Sequence, residues 1–221
     1  MNIVLFGAGP HVACCIDIIE REGKFKIVGL VDSIKDIGTE ISGYRVIGRQ
    51  EFITDLIDEY KIDGGIITIG DNFSRKLVND QILNSVPDFH FVNAIHPSTI
   101  IGKNVSIGKG IVTMGGVIIS TNSIVSDFCL FNAGAQLEHD SFIGKYASIS
   151  VGSITGGKVT IGKYAAINIG VTVLDRIQIG ENSVIGAGSL VLNDIPDNVL
   201  AYGCPAKIVR GRKLGEKFLK S

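Results

Sequence analysis

The chain has 221 residues, of which 45% are hydrophobic and 19% are charged, with 28 glycines and a formal net charge of −1. This composition is typical of a globular protein, and the lack of a basic block argues against nucleic acid as the main partner. The chain has no run of about 18 apolar residues, so we expect no membrane span. The first residues show neither a basic n-region nor a small-residue cleavage site, so we expect a cytoplasmic protein.

Apolar runs alternate with amphipathic segments in the first half of the chain, a pattern typical of βαβ units. The predicted strands are residues 2–6, 26–31, 44–47, 65–69 and 90–95, and the predicted helices are 12–22, 50–60 and 73–85. The sequence therefore predicts an α/β, Rossmann-like domain over residues 1–96. Its ligand crevice is expected at the carboxyl ends of the strands.

A repeat of six residues runs from Ile101 to Pro196. Of the sixteen hexads, fourteen have a large apolar residue first, and every fifth position is Ser, Ala, Cys, Val or Ile. A fixed repeat predicts a solenoid, with three hexads in each triangular coil. A β-sandwich is the alternative, but its variable turns would not hold one register for so long. We predict a parallel β-helix with a C-terminal tail over residues 97–221.

Four further segments add to the ladder of hexads. They are Gly7-Ala8-Gly9, His96-Pro97-Ser98, Glu138-His139-Asp140 and Gly203-Cys204-Pro205-Ala206-Lys207. Together they resemble the hexapeptide-repeat sugar O/N-acyltransferases, a family that includes sialic acid O-acetyltransferases and bacterial nucleotide-amino-sugar N-acetyltransferases. The resemblance implies a left-handed β-helix, a homotrimer with active sites between subunits, an N-terminal domain that binds the nucleotide-sugar, and acetyl-CoA as co-substrate without a metal.

His139 is the only histidine within the hexads and occupies a third position, where a side chain can project from the coil. Acyl transfer from a thioester needs a base for the acceptor's proton, and a neutral imidazole can be that base near neutral pH. The resemblance implies that His139 is the base and that Asp140 orients it. Glu138 is the alternative orienting group, because sequence does not reveal rotamers. Asn132 lies where related enzymes place an amide that contacts the acceptor; a turn asparagine is the competing interpretation.

Glycines and one substituted position define the expected acetyl-CoA site. Gly157 lies 18 residues after His139, one coil later, and Gly152 precedes it. These glycines could let the CoA arm approach and offer backbone N–H groups to the thioester carbonyl, although tight corners explain each of them equally well. Ser148 stands where several relatives carry a second histidine, which puts the acceptor type in doubt.

In the first domain, Gly9 and His11 lie in a glycine turn between the first strand and helix, where backbone amides commonly hold phosphate. The turn departs from the full dinucleotide pattern at Pro10 and Val12. Asp32 ends the second predicted strand and could accept hydrogen bonds from a base or ribose. Gly70 and Arg75 follow a later strand near the same crevice. Each residue could instead cap a helix or form a turn.

The leading hypothesis is that the protein transfers acetyl from acetyl-CoA to the amino group of a UDP- or TDP-linked 4-amino sugar for surface polysaccharide biosynthesis. O-acetylation of sialic acid or another sugar could use the same base. A carbonic anhydrase of similar fold is disfavoured because zinc sites of that kind usually need three protein ligands. A dehydrogenase would leave the hexads unexplained. A non-catalytic nucleotide-sugar-binding protein stays open.

Overall fold

The computed structural model describes residues 1–218. The chain divides into two compact units: Met1–Gly70 with Ser74–Pro97, and Asp71–Phe73 with the residues from Ser98 onward. Residues 219–221, the end of the predicted second domain, lie outside the described residues. The functional assignment of the two predicted domains stays a prediction.

The first unit is built on a five-stranded sheet. Its elements are β1 Asn2–Phe6, α1 Val12–Glu22, β2 Lys26–Val31, β3 Glu40–Ile41, β4 Tyr44–Gly48, a 3-10 turn Gln50–Phe52, α2 Ile53–Tyr60, β5 Gly64–Ile67, α3 Asn72–Ser85 and β6 Ala94–Ile95. The sheet order is β3-β4-β2-β1-β5, parallel except for β3 against β4. Nearly all residues of β1, which lies between β2 and β5, are buried, and so are all residues of the edge strand β5.

The predicted elements of this unit match the structure closely, with three differences. The helix predicted over 50–60 is a 3-10 turn followed by α2, and β3 was not predicted. The strand predicted over 90–95 is wrong over most of its length. Only Ala94–Ile95 is a strand, because the pairing of Phe91 with Gly65 is one isolated bridge that does not extend.

Up to residue 218, the second unit contains sixteen strands of two residues each. They are β7 Ile100–Ile101, β8 Ser106–Ile107, β9 Val112–Thr113, β10 Ile118–Ile119, β11 Ile124–Val125, β12 Leu130–Phe131, β13 Gln136–Leu137, β14 Phe142–Ile143, β15 Ser148–Ile149, β16 Ile154–Thr155, β17 Thr160–Ile161, β18 Ala166–Ile167, β19 Thr172–Val173, β20 Gln178–Ile179, β21 Val184–Ile185 and β22 Leu190–Val191. A hairpin of β23 Val199–Gly203 and β24 Ala206–Gly211 follows.

Every third strand stacks in parallel on the one a coil earlier, which gives three flat faces. Face A holds β7, β10, β13, β16, β19 and β22; face B holds β8, β11, β14, β17 and β20; face C holds β9, β12, β15, β18, β21, β23 and β24. Paired residues are 18 apart, as with Ile118 and Gln136. The predicted coil of three hexads, and with it the fold class, is confirmed.

Each two-residue strand ends on the first residue of a hexad, which points into the coil. From Thr113 onward all these first positions are buried, and so are the fifth positions from Ile111 onward. The first coil is less covered, since Ile101 is 41% exposed. A continuous apolar core therefore runs along the axis, as the repeat predicts.

Each corner of a coil has one residue with a positive φ, and the type of this residue differs among the three corners. The C–A corner carries glycines, the A–B corner carries polar residues, and the B–C corner is mainly aromatic. In chain order these are Gly116, Gly134, Gly152, Gly170 and Gly188; then Asn104, Asn122, Asp140, Lys158 and Arg176; then Gly110, Phe128, Tyr146, Tyr164 and Asn182. Rings of Phe128, Tyr146 and Tyr164 stack at 5.1 and 5.4 Å.

No helix within residues 1–218 has the length and apolar character needed to cross a membrane.

Candidate active site

The A–B corner between β13 and β14 presents His139 to solvent. Its side chain is 51% exposed, and its Nδ1 lies 2.8 Å from Oδ2 of Asp140. We assign the proton to Nδ1, because the carboxylate accepts it there. The other ring nitrogen, Nε2, then keeps a free lone pair, as a general base requires.

The two neighbouring carboxylates have different partners. Asp140 contacts the imidazole, whereas Glu138 accepts the backbone N–H of His139 at 3.3 Å. Hydrogen bonds from His139 and then from Asn122 hold the pKa of Asp140 below its ordinary value. The geometry therefore favours Asp140 over Glu138 as the group that orients the ring, while Glu138 holds the corner backbone.

Gly157 lies directly against the His139 ring on the next coil. A Cβ atom at Gly157 would lie 2.6 Å from both Cε1 and Nε2 of His139. Only a residue without a side chain leaves room for the imidazole here. The alignment inferred from the 18-residue spacing is therefore a direct contact.

The prediction that Gly152 and Gly157 offer free backbone N–H groups to the thioester carbonyl is wrong. The N–H of Gly157 donates to Oδ1 of Asp175 at 2.8 Å, and the N–H of Gly152 donates to the carbonyl of Ala133 at 3.0 Å. Both donors are used within the coil, so neither is left for a thioester carbonyl. Asp175 was not singled out in the sequence, and only its position one coil beyond Gly157 could have indicated it.

Asn132, Gly152 and Ser148 do not lie at the corner of His139. Asn132 and Gly152 belong to the C–A corner, on successive coils. Ser148 lies in β15 on face C and is only 6% exposed. The structure thus separates these three predicted residues from the base within one chain, and their roles stay predictions.

The first unit contains a cavity of about 460 Å³ at the carboxyl ends of β1, β2 and β5. Such a volume suits a small ligand. The lining residues are Gly7, Gly9, Pro10, His11, Asp32, Ser33, Ile34, Gln50, Thr68, Ile69, Gly70, Ser74, Leu77, Val78 and Gln81. The crevice is where the strand pattern predicts it, at a topological switch of the sheet.

Asp32 holds the turn after β1 in place. One carboxylate oxygen accepts the N–H of Ala8 at 2.7 Å, and the other accepts the N–H groups of Ile34 and Lys35. These backbone bonds outweigh partial burial and lower the pKa of Asp32. Asp32 lines the cavity as predicted, but its carboxylate already accepts three hydrogen bonds from backbone N–H groups of the protein.

His11 precedes α1 and lines the same cavity. Burial, and next the charge of Arg75, lowers the pKa of His11 to about 4, so the imidazole is neutral at pH 7. Its Nε2 is buried with no hydrogen-bond partner among the described residues. A buried polar atom without a hydrogen-bond partner is costly to the folded state.

The stability of the protein should depend on pH through His11. The unfolded chain binds this proton below a pKa of about 6.5, whereas the folded chain does so only near 4. The free energy of unfolding should therefore be highest above pH 6.5 and fall by up to about 3 kcal/mol as the pH drops to 4. Urea unfolding of His11→Gln should show a weaker loss over this interval than the unmodified chain, and equal pH slopes would contradict the assignment.

Gly70 lines the cavity, but Arg75 does not. Arg75 is 2% exposed, and its guanidinium donates to the carbonyls of Ile69 and Gly70 at 3.2 and 2.8 Å. Its position suits holding this loop and suppressing the charge of His11 more than touching a ligand. Ile34, Gln50 and Leu77, which no sequence motif indicates, also line the cavity.

The cysteines show no sign of chemistry. All four are free, and Cys129 is buried, with its thiol directed to the carbonyl of Gly144 at 3.2 Å. Burial raises the pKa of Cys15 and disfavours its thiolate. Within residues 1–218, no group of three or more His, Cys, Asp or Glu side chains could hold a metal ion.

Two sequence families match parts of the chain: the PglD N-terminal domain over residues 2–82 and the bacterial transferase hexapeptide, six repeats, over 158–193. The chain is 26% identical over 172 residues to a GDP-perosamine N-acetyltransferase of Escherichia coli O157:H7, with 72% of each chain covered. The crystal structure of PerB from Caulobacter crescentus, in complex with CoA and GDP-perosamine, is 30% identical and superposes with a TM-score of 0.87, covering 95% of this chain and 98% of that chain.

A third similar structure is the acetyltransferase domain of PglB from Neisseria gonorrhoeae in complex with acetyl coenzyme A. It is 24% identical, has a TM-score of 0.85, and covers 94% of this chain and 98% of that chain. At this identity the likeness shows the fold alone. From the match to PerB, the chain belongs to the hexapeptide-repeat sugar acyltransferase family, and its solenoid is a left-handed parallel β-helix. The predictions of family, fold class and enzyme class are confirmed.

Proposed function

We propose that the protein transfers the acetyl group of acetyl-CoA to the amino group of a nucleotide-linked amino sugar. The observation that carries the proposal is the His139–Asp140 pair, with its 2.8 Å contact and its open Nε2. The relatives add support, since one is named as a GDP-perosamine N-acetyltransferase and PerB holds CoA with GDP-perosamine. Acetyl-CoA is the co-substrate.

In the proposed reaction, the sugar amine attacks the thioester carbonyl carbon while Nε2 of His139 takes a proton from the nitrogen. The C–S bond then breaks, and the imidazolium returns the proton to the sulfur of CoA. The products are the N-acetylated sugar and free CoA, so atoms and charge balance. Asp140 keeps the proton on Nδ1 and stabilises the imidazolium that forms.

The cavity in the first unit is the proposed nucleotide site. The turn at Gly9 leads into the N-terminus of α1, where helix amides favour phosphate. The neutral imidazole of His11 lines the same cavity beside this turn. Ile34 and Leu77 are 86% and 51% exposed at the cavity and offer apolar surface to a flat base.

An activity assay against a panel of sugars tests the identity of the acceptor. The protein is incubated with acetyl-CoA and GDP-, UDP- or TDP-linked amino sugars, with sialic acid as the O-acetylation alternative, and products are weighed by mass spectrometry. We expect one added acetyl group on a nucleotide amino sugar. The relatives favour a GDP-linked sugar over the UDP- or TDP-linked one suggested by sequence. Acetylation of sialic acid alone, or no CoA release with any acceptor, would contradict the proposal.

The proposal includes a homotrimer with active sites between subunits. Apolar residues support it on two faces: Ile124 and Phe142, stacked neighbours on face B, are 50% and 40% exposed, and Ile100 on face A is 61% exposed. Exposed apolar patches of this kind commonly mark protein interfaces. Val112 in β9 on face C is, by contrast, buried at 2% exposure.

A cytoplasmic role in surface polysaccharide biosynthesis completes the proposal. The support for the compartment is that all four cysteines are free and that Cys14 and Cys204 are exposed, as expected of thiols kept in a reducing environment.

A further inference from the structure

A row of side chains leads along the A–B corner to the proposed base. Asn104, Asn122 and Asp140 occupy the same position on three successive coils, each with a positive φ between 55° and 61°. Asn and Asp are the residues other than glycine that tolerate this backbone conformation best. Because the coils repeat, the three polar side chains are stacked one above another.

The hydrogen bonds in this row all run in one direction. The Nδ2 group of Asn104 donates to Oδ1 of Asn122 at 3.1 Å, and Nδ2 of Asn122 donates to Oδ1 of Asp140 at 3.1 Å. The direction follows from the last member, since an ionised carboxylate can only accept. The amide of Asn122 must therefore turn its NH₂ group toward Asp140 and its oxygen toward Asn104.

The two carboxylate oxygens of Asp140 therefore have different partners. Asn122 occupies Oδ1, which leaves Oδ2 for Nδ1 of His139 at 2.8 Å. The Asp140 side chain is 41% exposed, so packing alone does not hold its carboxylate plane. The titratable groups around it are His139 and Glu138 on its own coil and Lys158 on the next coil.

We propose that Asn122 is a positioning residue for the reaction: it fixes the carboxylate of Asp140, and through it the tautomer and orientation of His139, with Asn104 as the outer support. This inference rests on the proposed function, because it assumes that His139 is the base. Asn122 acts through Asp140 and does not touch the reacting atoms.

Two substitutions separate the donated hydrogen bond from the shape of the side chain. Asn122→Ala removes the donor, and Asn122→Asp keeps the shape and tolerates a positive φ but sets a second carboxylate against Asp140. We expect Asn122→Ala to lower kcat by about 10-fold with little change in KM. Asn122→Asp should be at least as damaging. A purely structural role would predict the reverse order, with the Asp variant nearly normal.

Asn182→Ala is the matched control. Asn182 also has a positive φ, 54°, and donates Nδ2 to Oδ1 of Asn198 at 2.9 Å, but at the B–C corner. The control carries the same backbone penalty of alanine and should keep normal kcat. Asn104→Ala should show a smaller loss than Asn122→Ala, in the same direction.

Ring-nitrogen NMR of isotope-labelled histidine provides a readout that does not need turnover. In the unmodified protein we expect His139 to carry its proton on Nδ1 only, and in Asn122→Ala we expect a mixture of both tautomers. Unchanged tautomers together with normal kcat in Asn122→Ala would overturn the inference. Absence of acetyl transfer by the unmodified protein would instead overturn the proposed function, and the NMR result would still decide whether Asn122 sets the tautomer of His139.

Discussion

The substitution His139→Ala should lower kcat by a factor of about 10² to 10⁴, because general-base catalysis by a positioned side chain contributes a factor of this size. KM for both substrates should change little, since the ring is needed for proton transfer more than for binding. The measurement is CoA release at saturating acetyl-CoA and acceptor. The side chain is half exposed, so its loss should leave the melting temperature nearly unchanged.

His90→Ala is the control for this substitution. His90 is exposed in the first unit and belongs to neither proposed site, so its removal should keep normal turnover. If His139→Ala has the kcat of the unmodified protein, His139 is not the base.

Gly157→Ala should reduce kcat by about 10²-fold or more. The new Cβ would lie 2.6 Å from Cε1 and Nε2 of His139, closer than real Cβ contacts allow, so the imidazole must move. A shift of about 1 Å in a catalytic group can cost this much. Gly157 does not have a positive φ, and the ring is the mobile end of a side chain, so the loss of stability should be small.

The double variant His139→Ala/Gly157→Ala provides the control. If Gly157→Ala acts through the ring, it should cause no further loss once the ring is absent. An equal loss in both backgrounds would show that Gly157 matters for another reason, such as the approach of the CoA arm. Normal kcat in Gly157→Ala would contradict the contact itself.

The fold was predictable wherever the sequence repeats a simple physical pattern. Each hexad sets one large residue and one small residue inward, and that rule predicts all sixteen short strands and their stacking. The elements β1, α1 and β2 also follow from apolar periodicity. The pattern could not reveal that Phe91 pairs with Gly65 only once, because that depends on where a neighbouring strand ends.

The candidate site was only partly predictable, since spacing gives coil position but not side-chain direction. The spacing of His139 and Gly157 predicts their alignment. It could not show that Asp140 takes the ring while Glu138 takes a backbone N–H, which depends on rotamers. Nor could it show that Asp175 already occupies the amide of Gly157, because that bond joins residues from different coils.

The most direct test of the account is a crystal structure of the protein with CoA and the nucleotide amino sugar that it acetylates. We expect the sugar amine to lie within about 2.6–3.2 Å of Nε2 of a His139 side chain. We also expect the diphosphate to lie beside Gly9 and His11. A bound sugar whose amine lies beyond hydrogen-bond reach of every His139 in the assembly would contradict the central claim.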